Sequence, residues 1–255
     1  MNTHFPINFS LTINNIESII MLLTNYRNIF FFLMSIFILI SIIKKHQILQ
    51  LTKLLFGITP EYYNVDKFQQ FNMLFNNYDV IKKDVEKIRN KNVFSIHRSK
   101  NMDTNSKEMD DYINSISMKE EWVYAWSTEN NKPNYKWLNY PLVYNNKALN
   151  LVPNNTIKIL QKIGNIRLAG FSLMKANSII GEHSDDCGLL TNSLTLHFGV
   201  DVPNNCYLKV NNKQENENNN KIIIFDSNYV HSAYNKSNQD RIILYVDFSI
   251  SPKND

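Results

Sequence analysis

From Lys221 to Phe248 the chain reads KIIIFDSNYVHSAYNKSNQDRIILYVDF. Two runs of β-branched and aromatic residues, Lys221–Phe225 and Arg241–Ser249, stand on either side of a segment rich in Asn, Asp and Ser, the pattern of strands punctuated by turns. Further from this stretch, Ile166–Met174, Asn192–Val202 and Cys206–Val210 repeat the pattern, with Asn, Gly or Pro clusters between them. Short strands without long helices between them predict a mainly β domain, an antiparallel barrel or sandwich. Gln214–Asn220 (QENENNN) reads as the exposed tip of a hairpin.

Within this β region the sequence His183-Ser184-Asp185 is followed 48 positions later by His231 and ten positions after that by Arg241. Two imidazoles and one carboxylate suffice to hold one face of an octahedral ferrous ion while the opposite face stays open, the arrangement of non-haem iron oxygenases. In extended backbone residues i and i+2 point the same way, so His183 and Asp185 can converge while Ser184 points out. Asp186 is the alternative carboxylate. Arg241 opens an alternating apolar strand, where an inward guanidinium needs an anion. A dicarboxylic co-substrate is one candidate, and a salt bridge to Asp226 or Asp247 is the other. Asp226 reads either as an outer partner that orients His231 or as a turn former.

Composition excludes several classes. A chain of 255 residues with 27 Lys+Arg against 23 Asp+Glu carries a formal charge of only +4, and no arginine-rich tract or aromatic RNA-binding motif accompanies it. Nucleic acid is therefore not expected as a partner. Two cysteines, Cys187 and Cys206, are too few for a disulfide framework.

Before the β region the texture differs. Ile29–Ile43 (IFFFLMSIFILISII) is uncharged and bracketed by Arg27 and Lys44-Lys45. Fifteen residues fall short of the roughly 20 that span a bilayer, but Ile19–Leu23 extends the run if Arg27 snorkels. This predicts a single-pass transmembrane helix over residues 27–45, after an N-terminal segment, residues 1–26. The excess of lysine on its carboxyl side places the larger domain in the cytoplasm. Residues 46–119 then form a juxtamembrane, partly helical region, with an amphipathic helix at Asp79–Lys91, read as a solvated face, and a loop at Asn101–Asp111. The catalytic domain is expected over 120–255.

Four ordered segments carry a resemblance: FSLMKANSIIGEHSDD (171–186), LTLHFGVDVP (194–203), KIIIFDSNYVHSAYN (221–235) and RIILYVDF (241–248), which between them hold Ser172, His183, His197, His231 and Arg241. Together they resemble the aspartyl/asparaginyl β-hydroxylase family of Fe(II)- and 2-oxoglutarate-dependent dioxygenases, over about residues 120–252. The resemblance implies a double-stranded β-helix of the jelly-roll, cupin-like kind, with O2 and 2-oxoglutarate as co-substrates. It implies iron at His183 and His231, the co-substrate's distal carboxylate at Arg241 and Ser172, and its metal-proximal end at His197. Without the resemblance, His197 in SLTLHFGV reads as a satisfied core histidine. Two departures stand out. Many family members have a small residue where this chain has Asp185, and the arginines usual two and four residues before the histidine matched by His197 are Thr195 and Ser193 here. The implied substrate is a protein Asp or Asn side chain, or a lipid-linked or other membrane-associated molecule. Two other readings remain at this point: a catalytically silent, membrane-tethered barrel that binds metal or ligand, and a zinc hydrolase using the same ligands, to which Arg241 adds nothing.

Overall fold

The computed structural model describes residues 26, 28–35, 55–56, 60–98, 107–126, 133–185 and 193–250. The chain divides into two compact units, Met1–Thr52 and Lys53–Asp255. In the first, residues 28–35 are helical and exposed. Among the described residues no helix is long and apolar enough to cross a membrane. This corrects the single-pass membrane assignment: the described helical run is too short to cross. The remainder of the 27–45 stretch lies outside the described residues.

Among the described residues the second unit contains the strands β1 (Tyr62–Tyr63), β2 (Val93–Arg98), β3 (Trp122–Trp126), β4 (Trp137–Tyr144), β5 (Lys147–Ala148), β6 (Ile166–Met174), β7 (Ser178–His183), β8 (Ser193–Asp201), β9 (Cys206–Val210), β10 (Lys213–Asn216), β11 (Ile222–Phe225), β12 (His231–Asn235) and β13 (Arg241–Ser249). They are accompanied by the α-helices α1 (Asn72–Asn76), α2 (Tyr78–Ile88), α3 (Lys107–Ile116) and α4 (Asn154–Ile163). The strands form a larger sheet in the order β1-β11-β8-β13-β6-β4-β3-β2, with β5 beside β4, and a smaller sheet in the order β10-β9-β12-β7. Pairing is antiparallel except between β2 and β3. Strands therefore enter the larger sheet from residues 62–98 as well as from the segment after Glu120.

Strict alternation gives the larger sheet two different faces. Ile242, Leu244, Val246 and Phe248 of β13, Leu194, Leu196, Phe198 and Val200 of β8, and Ala169, Phe171 and Leu173 of β6 build the main core. Helices α2 and α4 cover that face, through Ile81, Val85 and Ile88 and through Ile157 and Leu160. Asp84 is fully buried between these helices, accepting hydrogen bonds from the Thr156 backbone N–H and hydroxyl at 2.9 Å each. So the amphipathic helix expected at Asp79–Lys91 is present but packed. Helix α3 begins at Lys107, inside the expected loop, because Met109, Ile113 and Ile116 bury a face against Val123 and Leu149.

The opposite face of the larger sheet meets the smaller one. Met174, Ile223 and Phe225 from the former cluster with Ile180, Leu208, Val210 and Ala233 from the latter. Behind them Asn235 is fully buried; its amide donates to the Met174, Lys175 and Gln239 carbonyls and its oxygen accepts from Ser237.

The segment QENENNN is placed otherwise than expected. The β9–β10 turn falls at Asn211, whose φ of 50° asparagine tolerates, and Glu217 is buried rather than at an exposed tip. Residues 217–220 run against β8, with Asn220 N–H donating to Gly199 O at 2.8 Å and Gly199 N–H to Lys221 O at 3.0 Å. Gly199 allows this approach, since a Cβ there would lie 1.9 Å from the Asn218 carbonyl oxygen. Gly199→Ala is therefore expected to cost at least about 2 kcal/mol of stability in urea unfolding, as overpacking against backbone does. A cost under about 0.5 kcal/mol would show that the segment yields freely.

Candidate functional site

One irregularity of the smaller sheet positions both histidines. His231 pairs with His183 and Ala233 pairs with Ile180, so β7 carries one residue more than β12 between these pairs, a β-bulge. Three residues apart on a regular strand, Ile180 and His183 would face opposite sides. The bulge turns His183 to the same inner side as Ile180 and opposite His231, with ring centroids 4.2 Å apart.

The carboxylate arrives from just beyond the strand. The Asp185 N–H donates to Ser227 O at 2.9 Å, which ties the end of β7 to the loop before β12. One ligand atom from each of His183, Asp185 and His231 can be chosen so that all lie within 4.8 Å of one another. The Asp185 carboxylate is 3.9 Å from His231 Nε2. Asp186 and Cys187 lie outside the described residues.

Both imidazoles are set in one tautomer by their own backbone. His183 Nδ1 is 2.8 Å from Gly181 O, and His231 Nδ1 is 2.9 Å from Tyr229 O. A carbonyl only accepts, so Nδ1 carries a proton in each ring, and in the neutral ring Nε2 is the nitrogen with the lone pair. Burial lowers the pKa of His231 to about 4, against partial opposition from Asp185, so its ring is neutral at pH 7. A metal needs that form.

The inner face of the larger sheet supplies the other side of the same cavity, about 120 Å³ in volume. A void of roughly that size takes in a small organic molecule. Ser172 of β6, His197 of β8 and Arg241 of β13 all line it, because each occupies an inward position of its strand. Ser172 Oγ accepts from Trp137 Nε1 at 2.8 Å, which leaves the hydroxyl proton for another acceptor. Phe225 stands edge-on between His197 and His231, at 5.1 and 5.3 Å. Trp137 lies beside His183. Ser193 and Thr195, in phase with His197 on β8, are buried, and the Thr195 hydroxyl lacks a hydrogen-bond partner among the described residues.

Arg241, 1% exposed, answers its charge through Glu217. Its Nε and Nη2 donate to the two oxygens of Glu217, each at 2.7 Å. Neither carboxylate expected from the sequence is its partner: Asp247 pairs with Arg167, and Asp226 accepts from Asn228 in the turn before β12. His197 Nδ1 adds a third bond to Glu217 at 2.9 Å. Burial would raise the Glu217 carboxyl, but Arg241 and His197 outweigh it and hold the group at about 2. Burial also keeps His197 below its ordinary value despite Glu217. With Glu217 ionised, His197 carries its proton on Nδ1. Arg241 Nη1 is buried without a hydrogen-bond partner among the described residues.

Sequence reasoning missed Glu217 and Trp137. Glu217 sits in a run of polar residues that looks solvated, and Trp137 was part of a diffuse aromatic texture. A glycine in a buried strand, Gly199, was the one local sign that something approaches closely there.

The family described as aspartyl/asparaginyl beta-hydroxylase matches residues 76–250. An uncharacterized protein of Acanthamoeba polyphaga mimivirus is 31% identical over 199 residues, 74% of this chain and 70% of that protein. A Rhizobium tropici protein named ornithine lipid ester-linked acyl 2-hydroxylase is 32% identical over 97 residues, 37% of this chain and 34% of its own length. Among solved structures, a cupin domain of an Enterobacter cloacae transcriptional regulator aligns over 46% of this chain and 99% of its own, at 9% identity and a TM-score of 0.31. The Schizosaccharomyces pombe Cnp3 cupin domain aligns over 46% and 66%, at 10% identity and a TM-score of 0.32.

The His231 ring gives a pH test. Its folded pKa of about 4 lies below the ordinary 6.5, so the unfolded chain binds the extra proton between these values. Stability contributed by the neutral ring is complete above about pH 6.5 and is lost as pH falls toward 4. The metal-free chain should lose roughly 2–4 kcal/mol from this group over that window. His231→Gln should flatten the slope of unfolding free energy against pH, and an unchanged slope would assign the loss elsewhere.

Proposed function

Because this chain belongs to the aspartyl/asparaginyl β-hydroxylase family, we propose that it is an Fe(II)- and 2-oxoglutarate-dependent dioxygenase that hydroxylates a C–H bond. The observation that carries this reading is the pair of Nε2 lone pairs on His183 and His231, held beside the Asp185 carboxylate at a cavity also lined by Arg241 and Ser172. Two neutral nitrogens and one carboxylate oxygen suit a ferrous ion and leave positions on it for exchangeable ligands. When bound, Fe(II) and 2-oxoglutarate supply the oxidising chemistry: O2 is consumed, 2-oxoglutarate is converted to succinate and CO2, and one oxygen atom goes to the substrate.

The residues of the chain bind, orient and exclude water. Gly181 and Tyr229 carbonyls fix the two imidazoles, and Ser227 O fixes the backbone of Asp185. Arg241 Nη1 and the Ser172 hydroxyl are the donors left for the distal carboxylate of the co-substrate. His197, with its proton on Nδ1, turns Nε2 as an acceptor, so in this form it orients rather than donates to a carboxylate. Ile180, Leu208, Phe225 and Ala233 line the cavity with apolar surface that keeps water from the reacting atoms.

For the substrate, Ser193 and Thr195 place small neutral groups on the inner row of β8, and no cation from that row meets a carboxylate. This favours an asparagine side chain of a protein or an acyl chain linked to a lipid over an acidic side chain. The Rhizobium relative's name supports the lipid-linked class.

Purified protein supplied with Fe(II), 2-oxoglutarate and O2 is expected to form succinate, faster with Asn-containing peptides or acylated lipids present. A silent barrel would bind metal and form none. Asp185→Ala is expected to weaken metal binding by at least about 100-fold, more than outer-sphere changes cost. Unchanged affinity in a calorimetric titration would mean that the two histidines suffice.

A further inference from the structure

Glu217 has no part in the chemistry proposed above, yet it occupies the group that chemistry needs. Its carboxylate takes two of the three nitrogens of Arg241 and the Nδ1 proton of His197, and it is 3% exposed. We propose that Glu217 is a specificity-determining residue of the co-substrate pocket: a resident carboxylate that cancels the charge of Arg241 and weakens the site's preference for a second carboxylate. This rests on the 2-oxoglutarate reading of the site.

Two observations support a fixed carboxylate rather than one that swings away. The backbone around it is held on both sides: Glu217 N–H donates to Cys206 O at 3.0 Å, Asn220 N–H to Gly199 O at 2.8 Å, and Val202 N–H to Asn219 Oδ1 at 2.8 Å. Gly199 lets this segment seat directly on β8, and any larger residue would collide with it. The side chain therefore reaches the fork from a braced segment, and leaving would strand Arg241 as an uncompensated buried charge.

The consequence follows from charge. An unpaired buried guanidinium would attract the far carboxylate of 2-oxoglutarate with a full positive charge. Here the incoming carboxylate meets a neutral pair, with the negative charge of Glu217 on the other side of the same guanidinium. What Arg241 still offers is the Nη1 donor, and with the charge already met by Glu217 an anion gains less over a neutral oxygen there than it would at an unpaired guanidinium. The pocket thus recognises the distal end of its co-substrate by hydrogen bonding more than by charge.

The test is calorimetric binding to the full chain loaded with Mn(II), without turnover, using 2-oxoglutarate and 2-oxobutyrate, which lacks the distal carboxylate. Glu217→Gln should bind 2-oxoglutarate on the order of tenfold tighter than the unsubstituted chain, the scale of one partly compensated charge interaction, and leave 2-oxobutyrate unchanged. Glu217→Asp draws the charge back from the fork, should fall between the two, and decides the matter if Glu217→Gln does not fold. Unchanged or weaker 2-oxoglutarate binding in a folded variant would overturn the proposal, making Glu217 a support for Arg241 instead. Absence of 2-oxoglutarate binding to every form, with Mn(II) bound, would overturn both this proposal and the 2-oxoglutarate reading beneath it.

Discussion

The guanidinium of Arg241 lies between two sheets, where an unpaired charge would be far costlier than in water, and much of the site is arranged around meeting it. Glu217 answers the charge, His197 closes the third side of that carboxylate, and a glycine in the neighbouring strand lets the supporting backbone come close. Removing either partner would leave the other buried and unmatched. Arg241 and Glu217 are 24 residues apart, and the pair ties the first residue of β13 to the connection between the two sheets.

A second constraint comes from the other sheet. A strand that continued its period through β7 would send His183 away from the cavity, and the extra residue opposite β12 corrects the phase. The same local backbone gives each histidine a carbonyl two residues earlier, so orientation and tautomer come from one device. Fixing both rings in this way lowers the ordering cost of binding an ion.

The two faces of the larger sheet divide the labour. One face is apolar and covered by α2 and α4; the other carries Ser172, His197 and Arg241 toward the cavity. Because alternation fixes these assignments, Ser172 and His197 are each flanked in sequence by core residues, as in LTLHF, while Arg241 opens its strand just before Ile242. The polar row survives burial because Ser172 bonds to Trp137 and both His197 and Arg241 bond to Glu217.

Much of this was legible in the amino-acid sequence. The strands Ile166–Met174, Cys206–Val210 and Arg241–Ser249 are bounded by turn residues, and their alternation is strong enough to give their limits directly. The grouping of His183, Asp185 and His231, and the placing of Ser172, His197 and Arg241 on the same cavity, were also readable from residue type and spacing together with the family resemblance. Of the apolar run at 29–43 only residues 29–35 are described, a helical stretch too short to cross a membrane. What only the tertiary structure decided is the partner of Arg241, the bulge that aims His183, and the burial of Glu217 within an otherwise solvated polar segment. The reason is physical: local pattern reports which face a side chain takes, whereas a salt bridge between residues 24 apart depends on where two sheets bring separate segments together.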